Sequence, residues 1–141
     1  MDHVAILDKK RKLLQKIISK EKTIESRWYQ TRRTPWHNIK KDDIIYFKDC
    51  GEPITVKTRV KEVLFFDDLN KEKVESIINK YGKAICLETL KYTSYYAKKN
   101  YCILIFLADI MEIKSFNINK TGFGSACAWI TINDIRKIII S

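Results

Sequence analysis

The chain has 141 residues, 45% of them hydrophobic, with only four Gly and two Pro, so it fits one ordered domain able to bury a core without metal or disulfide staples, which excludes disorder as the source of its charge. Lys and Arg outnumber Asp and Glu by 27 to 17, a net charge of +10, which favours a polyanionic partner with nucleic acid foremost. No apolar stretch is long enough to span a membrane and the N-terminus does not read as a signal peptide, so the expected location is the cytoplasm. In chain order, residues 3–7 form an apolar-rich strand, after which Asp8 can cap a helix whose Leu13, Leu14, Ile17 and Ile18 make one stripe. Lys9, Lys10, Arg11 and Lys12 crowd the first turn of that helix. Cations there oppose the macrodipole at about 0.3–1 kcal/mol each before screening, so helix stability did not select them.

The most informative stretch follows: Lys22-Thr23-Ile24-Glu25-Ser26-Arg27, then Trp28 and Tyr29, which strings cation, anion, cation and aromatics along a strand. In an extended chain Thr23, Glu25 and Arg27 share one face while Lys22, Ile24 and Ser26 share the other. For Lys22 to join Glu25 and Arg27, the strand must begin or bulge there. A carboxylate beside a guanidinium can accept hydrogen bonds from a base edge while the cation holds a phosphate. The plainer alternative is a Glu25 to Arg27 ion pair. A loop over residues 28–38 then carries Arg32, Arg33, Pro35 and Trp36, a basic and aromatic composition suited to binding.

Residues 43–48 read as a strand, 49–53 as a turn, and 54–66 as a long strand with Ile54, Val56, Thr58 and Val60 on one face. Lys57, Arg59 and Lys61 occupy the other face, either as a solvated surface or as a track for a phosphate backbone. Asn70 can cap a helix through Val74, Ile77, Ile78 and Tyr81 that Gly82 ends. A second helical stretch is expected over 84–98, with Tyr92, Tyr95 and Tyr96 read as packing residues. Residues 101–107 and 110–116 are two strands with a tight connection at Asp109. Gly122, Phe123, Gly124 and Ser125 make a loop suited to close approach of a ligand, or else a turn that lets Trp129 enter the core. A strand over 128–132 and a short helix capped by Asn133 complete the chain.

Cys50, Cys86, Cys102 and Cys127 are too widely spaced for a Cys-x-x-Cys clip, and His3 and His37 belong to no metal-ligand spacing. No metal site or cofactor is expected, and the thiols should stay reduced.

Strand, helix and Lys22-x-x-Glu25-x-Arg27, followed by Lys41-Asp42-Asp43 leading into a strand, the turn Gly51-Glu52-Pro53, and Gly122-Phe123-Gly124 with Ala128-Trp129, resemble a single-domain ASCH protein of the PUA-like superfamily over nearly the whole chain, residues 1–141. The resemblance implies an α+β fold, a small mixed β-barrel with flanking helices and a cleft beside the motif strand, and a role in binding RNA or modified nucleobases. Two positions depart from the family pattern, Lys20 and Asp42, where the family usually has Gly.

The sequence thus points to an RNA, nucleoside or nucleotide ligand in a cleft between the motif strand and the loops at 28–38 and 122–125. Glu25 would accept hydrogen bonds from base amino groups, Lys22 and Arg27 would hold phosphate or orient Glu25, and Trp28 or Trp36 would stack on the base, with Arg32 and Arg33 widening the basic footprint. A hydrolase acting on N4-acetylcytidine or on RNA is the alternative, with Lys22 and Glu25 as its catalytic pair. In the branch of that family that resembles an acetylcytidine amidohydrolase, however, a threonine nucleophile stands where this chain has Glu25. A protein-interaction module with a basic face is the third reading, and oligomeric state is not legible.

Overall fold

The computed structural model describes residues 1–87, 90–124 and 127–140. Six strands form one mixed sheet: β1 (Asp2–Leu7), β2 (Ile24–Tyr29), β3 (Ile44–Asp49), β4 (Ile54–Phe66), β5 (Tyr101–Phe116) and β6 (Trp129–Ile132), ordered β2-β5-β4-β3-β1-β6. Only β1 with β3 is parallel among these pairings; the others are antiparallel. Long β4 and β5 slip register between Ile54 and Val56, between Lys57 and Arg59, and between Val60 and Glu62. Each irregularity adds local twist and bends the ladder, so the sheet curls into a half-barrel. The fold is α+β, as expected.

The first half of β5 is buried on both faces, over residues 102–105, which explains its unbroken apolar run. Ile103 and Ile105 point into the curl with Val56, Val60, Phe47, Ile17 and Trp129, whereas Cys102 and Leu104 point outward beneath the helix α2 (Lys71–Ile85) with its Val74, Ile77 and Ile78. The remaining helices are short, α1 (Leu13–Ile18) and α3 (Thr93–Ala97). None is long and apolar enough to cross a membrane among the described residues.

Several local expectations change. Asp8 caps only a 3₁₀ turn over Lys9–Arg11, accepting from the Lys10 N–H at 3.0 Å; Lys12 turns left-handed at φ 55° before α1 begins. The crowded cations therefore sit ahead of the helix rather than in its first turn. Helix α2 does not stop at Gly82. Burying Ile85 outweighs the roughly 1 kcal/mol helix cost of a glycine, and the helix ends where Cys86 turns left-handed at φ 60°, with the Leu87 N–H on the Gly82 carbonyl at 2.8 Å. Among the described residues, the second helical stretch is a 3₁₀ turn over Leu90–Tyr92 followed by α3. The two predicted strands at 101–107 and 110–116 are one strand, kinked at Asp109, whose φ of 52° absorbs an extra residue. Asp134 rather than Asn133 caps the final 3₁₀ turn. On β4, Arg59 is not available to a phosphate track, because Asp42 and Asp109 hold its guanidinium at 2.9 and 2.7 Å.

Candidate functional site

The backbone entering the motif turns left-handed at Lys20 (φ 65°), and the Lys22 N–H then bonds the Lys16 carbonyl at 2.9 Å, before the strand starts at Ile24. Lys22 is outside the alternating ladder, so its side chain can reach Glu25. Its Nζ lies 3.2 Å from Glu25 Oε1 and donates to the carbonyls of Ile24 at 3.1 Å and Ile85 at 3.3 Å. An ammonium has three hydrogens, and these three acceptors use them. Glu25 also accepts from Arg27 Nη2 at 3.2 Å and from the Ser26 N–H at 3.1 Å. Burial pushes the Glu25 carboxyl up, but Lys22 and Arg27 together pull harder and hold it below its ordinary range. The result is a charged, fully paired brace in which Lys22 is 1% exposed and Glu25 2%. Arg27 spans the open side of the half-barrel, with its guanidinium 3.4 Å from the carbonyls of Ile6 and Ala128. Both bonds are long, so the closure is a loose one.

Beside this seam lies a cavity of about 900 Å³. Tyr29 enters it from the end of β2, Arg33, His37, Asn38 and Lys40 from the loop before β3, Gly122 and Phe123 from the glycine loop, and Trp129 and Thr131 from β6. The loop over 30–43 keeps its shape because Trp36 is buried beneath it, edge-on to Phe65 and Tyr101 at 5.2 and 4.9 Å between ring centres. The Trp36 and Asn38 N–H groups bond the Arg33 and Pro35 carbonyls, both at 2.8 Å. Gly122 supplies φ 93°, a conformation costly for residues with a Cβ.

A polar chain underlies the wall. His3 Nε2 is 2.8 Å from Asp43 Oδ2, while Nδ1 faces the Trp129 indole N–H at 3.2 Å and the Thr131 hydroxyl at 2.9 Å. Indole nitrogen only donates, so Nδ1 is the acceptor and the proton sits on Nε2 toward the carboxylate. Burial lowers the His3 pKa by more than the Asp43 hydrogen bond raises it, so the imidazole is neutral near pH 7 and holds Trp129 in a fixed pose. The Arg27 guanidinium covers that indole at 5.1 Å from the ring centre.

Of the residues singled out from sequence, Arg33, Gly122 and Phe123 line the large cavity. Glu25, Arg27 and Trp28 line a separate groove of about 260 Å³ along the free edge of β2. Lys22 lines neither. One expectation needs correction: Trp36 anchors the loop from within the core and offers no face to a ligand. Trp28 packs on Tyr96 at 4.5 Å on the opposite face of the sheet from Tyr29, and the exposed Arg32 lies over Tyr101 at 5.6 Å, outside the cavity. Gly124, at φ 91°, follows Phe123 but does not line the cavity, and Ser125 lies outside the described residues. Tyr29, His37, Lys40, Asp43, Trp129 and Thr131 were missed as lining residues. Tyr29, Asp43 and Trp129 carried a signal, in the run ending Trp28-Tyr29, in Lys41-Asp42-Asp43 and in Ala128-Trp129; the rest join them only when the half-barrel closes.

No protein-family model matches the chain, and neither does any curated protein. The structure aligns with the crystal structure of the ASCH protein from Zymomonas mobilis at a TM-score of 0.68 and 17% identity, covering 94% of this chain and 87% of that one. Tyr-to-Phe and Ser-to-Ala variants of that protein both align at 0.70 and 17%, each covering 96% of this chain and, respectively, 93% and 91% of theirs. The fold is that of an ASCH domain. Within this ASCH fold both departures from the sequence pattern keep a glycine-like backbone, since Lys20 and Asp42 adopt φ of 65° and 75°.

Proposed function

We propose that this ASCH-fold protein binds RNA or a nucleotide, seating one base and its phosphate in the 900 Å³ cavity. The observation that carries this is the meeting of Tyr29, Phe123 and His37 with Arg33 and Lys40 around one opening. Aromatic faces stack on any base, and a planar guanidinium grips phosphate oxygens in pairs. Asn38 and Thr34, joined at 3.3 Å, offer a polar wall to the base edge. In this reading Glu25 and Lys22 support the site rather than touch the ligand, because their polar atoms are already paired in the interior. That same pairing disfavours the two as a catalytic dyad: an Nζ that donates all three of its hydrogens to buried acceptors has no lone pair with which to take a proton from a nucleophile.

The test is quenching of tryptophan fluorescence by a panel of nucleosides, their 5′-monophosphates and short RNA, with products assayed in parallel. Saturable quenching is expected, tighter for monophosphates than for nucleosides. Arg33→Ala should weaken monophosphate binding about tenfold or more, the scale of one charge-assisted hydrogen bond. Binding indifferent to Arg33→Ala and Lys40→Ala, or a preference for polyglutamate over RNA, would sink the proposal.

A further inference from the structure

We infer that the groove on the free edge of β2 is a second base subsite, so that the ligand is a single strand of RNA running from the large cavity across Tyr29 and Arg27 rather than an isolated nucleotide. This rests on the reading of the large cavity given above. Tyr29 lines both depressions. Arg27 lines the groove while its guanidinium lies over Trp129 of the cavity wall, so a cation stands at the boundary between the two. A strand passing from one to the other would bring a phosphate to that boundary.

The groove has the chemistry of a stacking site. Tyr95 is 56% exposed at its rim. It stands edge-on to Tyr96 at 5.1 Å, and Tyr96 is braced by Trp28 at 4.5 Å. The exposed ring is thus held at one end by a half-buried, tilted aromatic pair. Lys99 Nζ lies 4.9 Å from the Tyr95 ring centre, and Arg11 lines the groove alongside Lys99. Both are long cations able to follow a phosphate, and Lys10 and Lys12 flank Arg11 in the turn whose charges no helix required, while Lys9 is held by Glu52 at 2.6 Å. Exposed aromatic, flanking cations and a net charge of +10 together fit a single-stranded polyanion with flat bases. A double helix would hide its base faces from Tyr95.

The experiment is fluorescence-anisotropy competition with homopolymer RNA ladders of one to eight nucleotides, in the full chain and in Tyr95→Ala, Tyr95→Phe and Lys99→Glu. Affinity is expected to rise over the first few nucleotides and then level off. Tyr95→Ala should remove about ten- to a hundredfold of that gain, the scale of one stacked base, while leaving mononucleotide affinity unchanged. Tyr95→Phe should retain the gain, and Lys99→Glu should lose part of it with a shallower salt dependence. Mononucleotide binding with no gain on lengthening, or a gain untouched by Tyr95→Ala, overturns the second subsite and leaves the cavity reading standing. Oligomer binding that depends on Tyr95 but ignores Arg33→Ala supports the groove and overturns the cavity reading. Equal competition by polyglutamate marks an acidic protein as the partner and overturns the inference.

Discussion

Replacing Lys22 by Met removes the charge from the Lys22–Glu25–Arg27 brace while keeping a long side chain of similar reach. Side chains at 2% and 3% exposure place the Lys22 to Glu25 pair, 3.2 Å apart, among buried ion pairs, for which loss of one partner costs about 3–5 kcal/mol. The carbonyls of Ile24 and Ile85 also lose their donor. Those losses overlap with the ion-pair figure and are not added to it. At about 4 °C per kcal/mol for a domain of this length, the melting temperature should fall by roughly 12–20 °C. Chemical and thermal unfolding followed by circular dichroism reads this directly, and Glu25→Gln with the double variant closes a cycle whose coupling should exceed about 1 kcal/mol. The acid limb should move as well. In the parent, the lowered Glu25 pKa contributes stability that is present above its ordinary value of 4.5 and is lost as pH falls through the depressed folded value. With one of its two cations gone, Glu25 should take up its proton at higher pH and acid unfolding should begin earlier. A Lys22→Met protein within about 1 kcal/mol of the parent, or one that stays stable but loses a catalytic turnover, would refute the brace.

Two further outcomes follow from single positions. Lys20→Gly should raise stability by about 0.5–1 kcal/mol, because a side chain at φ 65° is strained and glycine is not; a lower melting temperature would show that Lys20 makes a compensating contact. His3, with a folded pKa below its ordinary 6.5, should contribute stability fully present above that value and lost as pH falls through the window down to the folded pKa, since the unfolded chain binds the proton first. His3→Gln should flatten that part of the pH–stability profile, and a profile unchanged between parent and variant would contradict the neutral imidazole.

The sequence by itself determined the elements that depend on local pattern. Alternation in 54–60 set the buried face of β4, Asn70 capped α2 through the Lys73 N–H at 2.8 Å, and the order of short motifs pointed to the ASCH fold. It also marked Lys22, Glu25 and Arg27 as a unit on condition that the strand begins or bulges at Lys22, and the left-handed turn at Lys20 ahead of a strand that starts at Ile24 meets that condition. What it could not determine was which side of the sheet each residue would face and what would cover it. Trp28 and Tyr29 are neighbours in sequence, yet one packs under α3 and the other opens into the cavity, since successive strand residues point to opposite faces. Trp36 sits in a loop whose composition suits binding, but the fold needed its bulk to hold that loop in place. The cavity itself joins β2, β6 and two loops from opposite ends of the chain, and only long-range closure of the half-barrel brings Arg33 opposite Phe123 and Trp129. Local pattern measures how far a residue prefers water, whereas a site is defined by distances between residues a hundred positions apart, and those are fixed only when the core packs.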